Sequence, residues 1–269
     1  MSWFWLQAIV SPPPPSIFIG TMSAVGLVSL AYCGYSEVSG KHLQYSKFWN
    51  VNPQKKKSIV KEITISSRTG MLILYTPAFL AGVASFAIFP DKDLRFMLVS
   101  AALSIHFFKR VLEVLFIHKY SGRMVLDSVI LISLSYFIST VSMIYAQHLT
   151  EGIPEPALDL KYVGVALFLV GISGNFYHHY LLSRLREKSD HGYKIPKGGL
   201  FNLVICPHYL FEIVGFVGVS FISQTVYSFS FTMGTILYLI GRSYVTRKWY
   251  LSKFKNFPKE VKCLIPFLF

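Results

Sequence analysis

Several apolar runs of roughly 18 residues or more dominate this chain, the length a helix needs to cross a bilayer core of about 30 Å. A soluble domain of 269 residues could bury a core without such runs. Composition agrees: 53% of residues are hydrophobic and 16% aromatic, and only 14% are charged, against about 25% in soluble domains. Seven spans are read, near 16–36, 69–90, 94–117, 124–147, 160–182, 200–222 and 225–241. The expected fold is all-α and polytopic, with about seven transmembrane helices, cytosolic loops and a folded, aromatic and basic C-terminal cap. Two units are expected, an N-terminal helical part over 1–150 and a C-terminal part over 151–269.

The formal net charge is +13, from 26 Lys and Arg against 13 Asp and Glu. In a soluble protein this would suggest nucleic acid. Here the cations fall in alternate connections, 37–68, 118–123, 183–199 and the tail after 241, while Glu151, Glu155 and Asp159 precede the fifth span. Positive loops stay cytoplasmic during insertion. The N-terminus is therefore expected on the lumenal or external side and the C-terminus in the cytosol, with anionic headgroups or a phosphorylated cofactor, not nucleic acid, meeting the charge. Cys33, Cys206 and Cys263 are too few and scattered for a disulfide framework or a zinc site, so no metal is expected. No cleavable signal peptide, internal repeat, P-loop or GxGxxG after a strand is read.

Ionisable groups inside spans are costly and face the bundle interior, where they mark function. On the third span His106, Lys109, Arg110 and Glu113 share a face, and a bland reading has Glu113 pairing back to Lys109 or Arg110 near a helix end. On the fifth, Asn175, His178 and His179 lead to Arg184 and Arg186. Interhelical bonding explains Asn175 alone, whereas a stripe ending in arginine suits a phosphate or adenine contact. The loop Gly192-Tyr193-Lys194-Ile195-Pro196-Lys197-Gly198-Gly199 offers lysines to phosphate and glycines for close backbone approach. In Cys206-Pro207-His208-Tyr209 with Glu212, a helix-breaking proline adjoins three ionisable groups, as it does where a break lines a cavity.

From Gly174 to Phe269 these motifs, with the closing Leu264-Ile265-Pro266-Phe267, resemble the steroid 5α-reductase family, which includes steroid, polyprenol and very-long-chain trans-2-enoyl-CoA reductases. The resemblance implies a seven-helix endoplasmic reticulum membrane oxidoreductase acting on CH–CH groups, with NADPH held between the last three helices and the cytosolic loops. By position it places Asn175, Arg186, Tyr193, Glu212, Arg242 and Tyr250 at the cofactor, beside His179 and Lys194 from the stripe and loop above. The family often carries an acid or another group where His179 stands, Asn where His208 stands and His where Thr246 stands.

Steroid reductases bind the steroid ketone with a Glu and a Tyr, and Tyr75 and Phe107 stand at those places here. The segment from His106 to His118 instead resembles the enoyl-CoA reductase branch, in which the Pro-x-Tyr tyrosine, here Tyr209, is the proton donor. The expected activity is NADPH-dependent reduction of an activated C=C bond, in a trans-2-enoyl-CoA first and a 3-oxo-4-ene steroid second. Tyr209 is the expected acid, helped by Lys109 or His208, with Tyr75 the second choice across the cavity. Expected partners are the lipid substrate, membrane lipids and other elongation enzymes. Two other classes remain open on sequence: a membrane methyltransferase using S-adenosylmethionine, and a non-enzymatic scaffold or transporter.

Overall fold

The computed structural model describes residues 8–11, 16–41, 63–120, 122–185 and 194–269. Among them seven α-helices form the body: α1 (Ile17–Val38), α2 (Ser67–Ile88), α3 (Leu94–Leu112), α4 (Leu126–His148), α5 (Lys161–Arg184), α6 (Pro207–Ser223) and α7 (Val226–Lys253). The helices α1, α2 and α4 are long and apolar enough to cross a membrane. Among the described residues the protein is all-α apart from a two-stranded antiparallel ribbon, β1 (Thr64–Ser66) with β2 (Arg123–Val125), which clamps the start of α2 to the start of α4. Nothing in the hydropathy pattern announces that ribbon, because each strand is only three residues long.

Helix starts follow local chemistry. Ser16, Ser66, Asp93 and Thr225 each accept a hydrogen bond from a first-turn backbone N–H of α1, α2, α3 and α7. Two expectations are corrected. The sixth helix does not begin near 200; a 3₁₀ turn over Gly199–Asn202 precedes it, and α6 starts at Pro207. Proline fits the first position, where no N–H partner is needed, so it opens the helix and does not break one. The seventh helix does not end near 241 but continues to Lys253, because Arg242, Ser243, Val245, Thr246 and Tyr250 are buried against neighbours.

Close approach of helices decides the packing. A Cβ on Gly171 of α5 would lie 2.3 Å from the Gly215 backbone nitrogen of α6, so the two backbones touch. A Cβ on Gly241 of α7 would lie 2.4 Å from the Gly34 carbonyl of α1. Small residues at such crossings are how helices associate where lipid removes the hydrophobic drive. Pro77, inside α2, cannot donate to the Ile73 carbonyl one turn back; Ser133 of α4 supplies that bond at 2.8 Å. At one end of the bundle, buried Arg95 donates to the Ile222 carbonyl, Gln224, Glu155 and Asp159. Burial pushes the Asp159 carboxyl up, yet hydrogen bonds from Lys161 and Arg95 outweigh it and hold the group at about 2.

If backbone contact fixes the α5–α6 crossing, Gly171→Ala lowers the melting temperature of the purified protein. Gly20→Ala, at a position with nothing within 4 Å of the added methyl, leaves it unchanged.

Candidate active site

A cavity of about 320 Å³ opens where α2, α3, α5, α6 and α7 meet. The expected residues Tyr75, His179, Lys194, His208, Tyr209, Glu212, Arg242 and Tyr250 line it. Lys109 and Asn175 stand behind that wall, and Arg186 and Tyr193 lie outside the described residues. Tail and loop close the far side: Tyr209 and Tyr250 pack with Ile205, Phe257, Val261, Cys263 and Leu264.

Arg110 organises the wall. It is buried, donates Nη2 to the Tyr75 hydroxyl at 2.6 Å and Nη1 to Glu113 Oε2 at 2.6 Å, and sits 4.7 Å over the Tyr75 ring. Its Nη1 also lies 2.9 Å from His179 Nδ1. The same ring nitrogen lies 3.1 Å from both Glu113 carboxylate oxygens, so His179 Nδ1 sits between a group that only donates and one that only accepts. Glu113, fully buried, is met by Arg110 and by Lys109 at 3.3 Å. Lys109 also donates to Asn175 Oδ1. Asn175 Nδ2 then donates to the His208 carbonyl at 2.8 Å and to Glu212 Oε2 at 3.0 Å. Two cations, Lys109 and Arg110, thus face two carboxylates, Glu113 and Glu212, and join α3, α5 and α6 in one chain of bonds. The pairing of Glu113 with both Lys109 and Arg110 is the bland reading of the third-span face, and it coexists with a wall of the cavity.

Local geometry explains how a helix end reaches this place. Past Leu112 the chain widens into a π-turn over Glu113–Ile117, closed by the His118 N–H on the Glu113 carbonyl at 2.7 Å. The turn brings His118 to 4.9 Å from the His179 ring. Burial, then the neighbouring His179 and Arg110, pushes His118 down to about 2, so it is neutral. Glu113, His118 and His179 present ligand atoms within 4.8 Å of one another, the spacing of a metal site. Arg110 Nη1, at 2.6 Å from Glu113 and 2.9 Å from His179, already holds the place a metal cation would need.

His178 turns away from the cavity. It donates from Nδ1 to the Gly174 carbonyl at 2.7 Å and accepts at Nε2 from the Leu200 N–H at 3.1 Å, pinning the Gly198-Gly199 loop to α5. Gly199 has φ +50°, and a Cβ there would strike the His178 ring. Arg242 of α7 is paired with Glu37 of α1 at 2.6 Å, both buried. Arg110 and Tyr120 line the cavity and Glu113 and Glu37 pair with its cations; none of the four has a role in the sequence expectations, although Arg110 and Glu113 belong to the charged face of the third span. The charged face of α3 was the available signal for Arg110 and Glu113; Glu37 and Tyr120 carry no motif.

Arg110, Lys119, Lys194 and Arg242 line the cavity with one carboxylate, Glu212; Arg110 and Arg242 pair with Glu113 and Glu37 outside the lining, and cationic donors of this kind suit a phosphorylated ligand. Two lining hydroxyls, Tyr120 and Thr246, are buried without a hydrogen-bond partner among the described residues. Burial, then Tyr75, raises the Tyr120 phenol above its usual range, which keeps it a donor. Unsatisfied hydroxyls in a cationic, aromatic cavity fit a polar cofactor such as a dinucleotide.

Comparison with known proteins gives a consistent family. Residues 118–269 match the model of the 3-oxo-5-alpha-steroid 4-dehydrogenase family. The chain is 41% identical over 107 residues to 3-oxo-5-alpha-steroid 4-dehydrogenase 1 of Macaca fascicularis, covering 40% of this chain and 41% of that protein. It is 34% identical over 126 residues to 3-oxo-5-alpha-steroid 4-dehydrogenase 2 of Rattus norvegicus, covering 46% and 50%. It is 28% identical over 243 residues to the very-long-chain enoyl-CoA reductase of Dictyostelium discoideum, covering 87% and 78%. The alignment to the steroid dehydrogenases thus spans half or less of their length.

Breaking the buried network from its anionic side tests its structural weight. Glu113→Gln leaves Arg110 and Lys109 without their shared carboxylate and is expected to cost about 3–5 kcal/mol, the scale for removing one partner of a buried pair. Thermal unfolding of the purified variant reads this, and an unchanged melting temperature contradicts it.

Proposed function

The chain belongs to the 3-oxo-5-alpha-steroid 4-dehydrogenase family, and from that membership we propose that it reduces an activated carbon–carbon double bond in a lipid substrate with NADPH. The observation that carries the reading is the convergence of Tyr75, Tyr209, His179, Glu212 and Arg242 on one cationic cavity between the helices. A trans-2-enoyl-CoA of fatty-acid elongation is the favoured substrate and a 3-oxo-4-ene steroid the second. Phe107 is buried among apolar neighbours and has no hydroxyl to offer a steroid ketone. Likeness over most of the chain to a protein named as an enoyl-CoA reductase supports the same choice. The methyltransferase and scaffold alternatives gain no support from the family match.

NADPH, when bound, supplies the hydride that reaches the β-carbon of the double bond. Arg242, Lys194 and Tyr250, with Arg186 and Tyr193, are the residues assigned to hold it, Arg186 meeting phosphate. Asn175, His179 and Glu212 shape the wall beside it, Asn175 through its bonds to Glu212 and His208. Negative charge then develops on the carbonyl oxygen of the substrate, and a positioned donor must meet it. Tyr209 delivers its phenolic proton to the α-carbon as the enolate collapses, and regains one from solvent. The ring of His208, 4.3 Å away, steers the Tyr209 ring. Lys109 acts at a distance, because it is bonded to Asn175 and Glu113 behind the wall. Tyr75, held by Arg110 on the α2 side, is the second donor. The N-terminal half, 1–150, forms the lipid side of the cavity and 151–269 the nucleotide side. The protein works in the endoplasmic reticulum membrane with its C-terminus in the cytosol, beside other elongation enzymes.

Tyr209→Phe removes one hydroxyl and is expected to lower kcat on a trans-2-enoyl-CoA by about 10²-fold, the scale for a general acid, while NADPH affinity is kept. Tyr75→Phe costs less. Full activity in Tyr209→Phe with loss in Tyr75→Phe moves the acid across the cavity and revives the steroid reading.

A further inference from the structure

The last residues of the tail form a small loop whose apolar side chains divide in two directions. Cys263 and Leu264 point inward and are 6% and 1% exposed, packed with Ile205, Tyr250 and Val261. Ile265, Phe267 and Leu268 point outward and are 41%, 80% and 81% exposed. The loop is not slack. The Leu264 and Ile265 N–H groups both donate to the Phe269 carbonyl at 2.7 Å, and the Phe269 N–H donates back to Ile265 at 3.0 Å. Phe267 is held at φ +65°, the left-handed region that costs a residue with a side chain about 1 kcal/mol or more. The fold therefore bears strain to project two large apolar side chains away from every core cluster.

The loop is tied to the chain beside the start of an apolar helix. Ile205 and Cys206 donate their N–H groups to the Lys262 and Cys263 carbonyls at 2.9 and 3.2 Å, and Val204 bridges Lys262. The next residue, Pro207, begins the apolar helix α6. The tail is thus stitched to the chain at the level where an apolar helix starts. On the same tail, Lys253, Lys255 and Lys259 are exposed and Lys262 is half-buried. Helix α7, 28 residues and so about 42 Å long, exceeds an apolar core of about 30 Å, which lets its last turns and these lysines stand outside it. Exposed aromatic and aliphatic tips, on a tail that also exposes lysines and is tied to the start of an apolar helix, complement an anionic bilayer surface.

We propose that Phe267 and Leu268 insert into the interfacial layer of the membrane, with the tail lysines facing anionic headgroups. The loop then acts as a peg that fixes the cap over the cavity, since Cys263 and Leu264 on its other face pack beside the cavity residue Tyr250.

The test uses the whole protein in lipid nanodiscs of phosphatidylcholine with phosphatidylserine. Tryptophan emission is compared between Phe267→Trp and unaltered protein, and in parallel for Leu268→Trp in case one position disturbs the loop. In discs whose acyl chains carry bromine, a quencher confined to the bilayer, both variants are expected to lose the added emission, and in ordinary discs to emit at shorter wavelength than in water. Added emission that is water-like and indifferent to brominated lipid in both variants overturns the proposal, and indicates that a protein surface or solvent meets the loop.

Discussion

The contact of Arg110 with Glu113 is the interaction on which the rest of the site depends. Two charges buried among apolar helices are tolerated only when each is paired and hydrogen-bonded. Here the pair is extended through Lys109, Asn175 and Glu212 in one direction and through Tyr75 and His179 in the other. Helices α2, α3, α5 and α6 consequently share a register: moving one by a turn strands a charge. Side chains at the cavity wall owe their fixed positions to that constraint. A π-turn after α3, which sets His118 beside His179, is the local distortion that completes it.

Glycine contacts supply the complementary constraint. The α5–α6 crossing at Gly171 and Gly215 brings backbones together on one side of the cavity, and the α1–α7 crossing at Gly34 and Gly241 does so on another. Close approach of α1 and α7 is what lets Glu37 reach Arg242 at 2.6 Å. The N-terminal helix therefore holds a cation that lines a cavity otherwise built largely from the C-terminal half, so the two halves are joined through charge as well as through packing. Buried Arg242 is oriented by a carboxylate about 200 residues away in sequence.

Much of this was legible in the sequence and some was not, for physical reasons. Apolar length reports helices, so the first, second and fourth spans are read within two residues of α1, α2 and α4. It fails where burial comes from protein and not from lipid: α7 runs twelve residues past its expected end because Arg242 and Thr246 are buried by neighbours, a fact no local window contains. Pro207 looks like a break in the sequence and is a start in the fold, since a proline's missing N–H suits either and only the preceding backbone decides. Ionisable residues inside spans point to the cavity, and His179, His208, Tyr209 and Glu212 do line it; Tyr75 and Arg242, placed by the family resemblance, line it too. Helical periodicity placed Lys109 and Arg110 on one face, but it cannot tell that one turns to Asn175 and the other to Tyr75. Glu37 and Tyr120 reach the site through tertiary approach alone.

We propose that this cavity joins hydride from NADPH to an activated double bond. Purified protein is supplied with a trans-2-enoyl-CoA and with NADPH deuterated at the transferable position of its nicotinamide, and the product is analysed by mass spectrometry. A saturated acyl-CoA carrying one deuterium, located at the β-carbon, is expected. An unreduced thioester in the presence of both substrates, or a reduced product without label at the β-carbon, would contradict it.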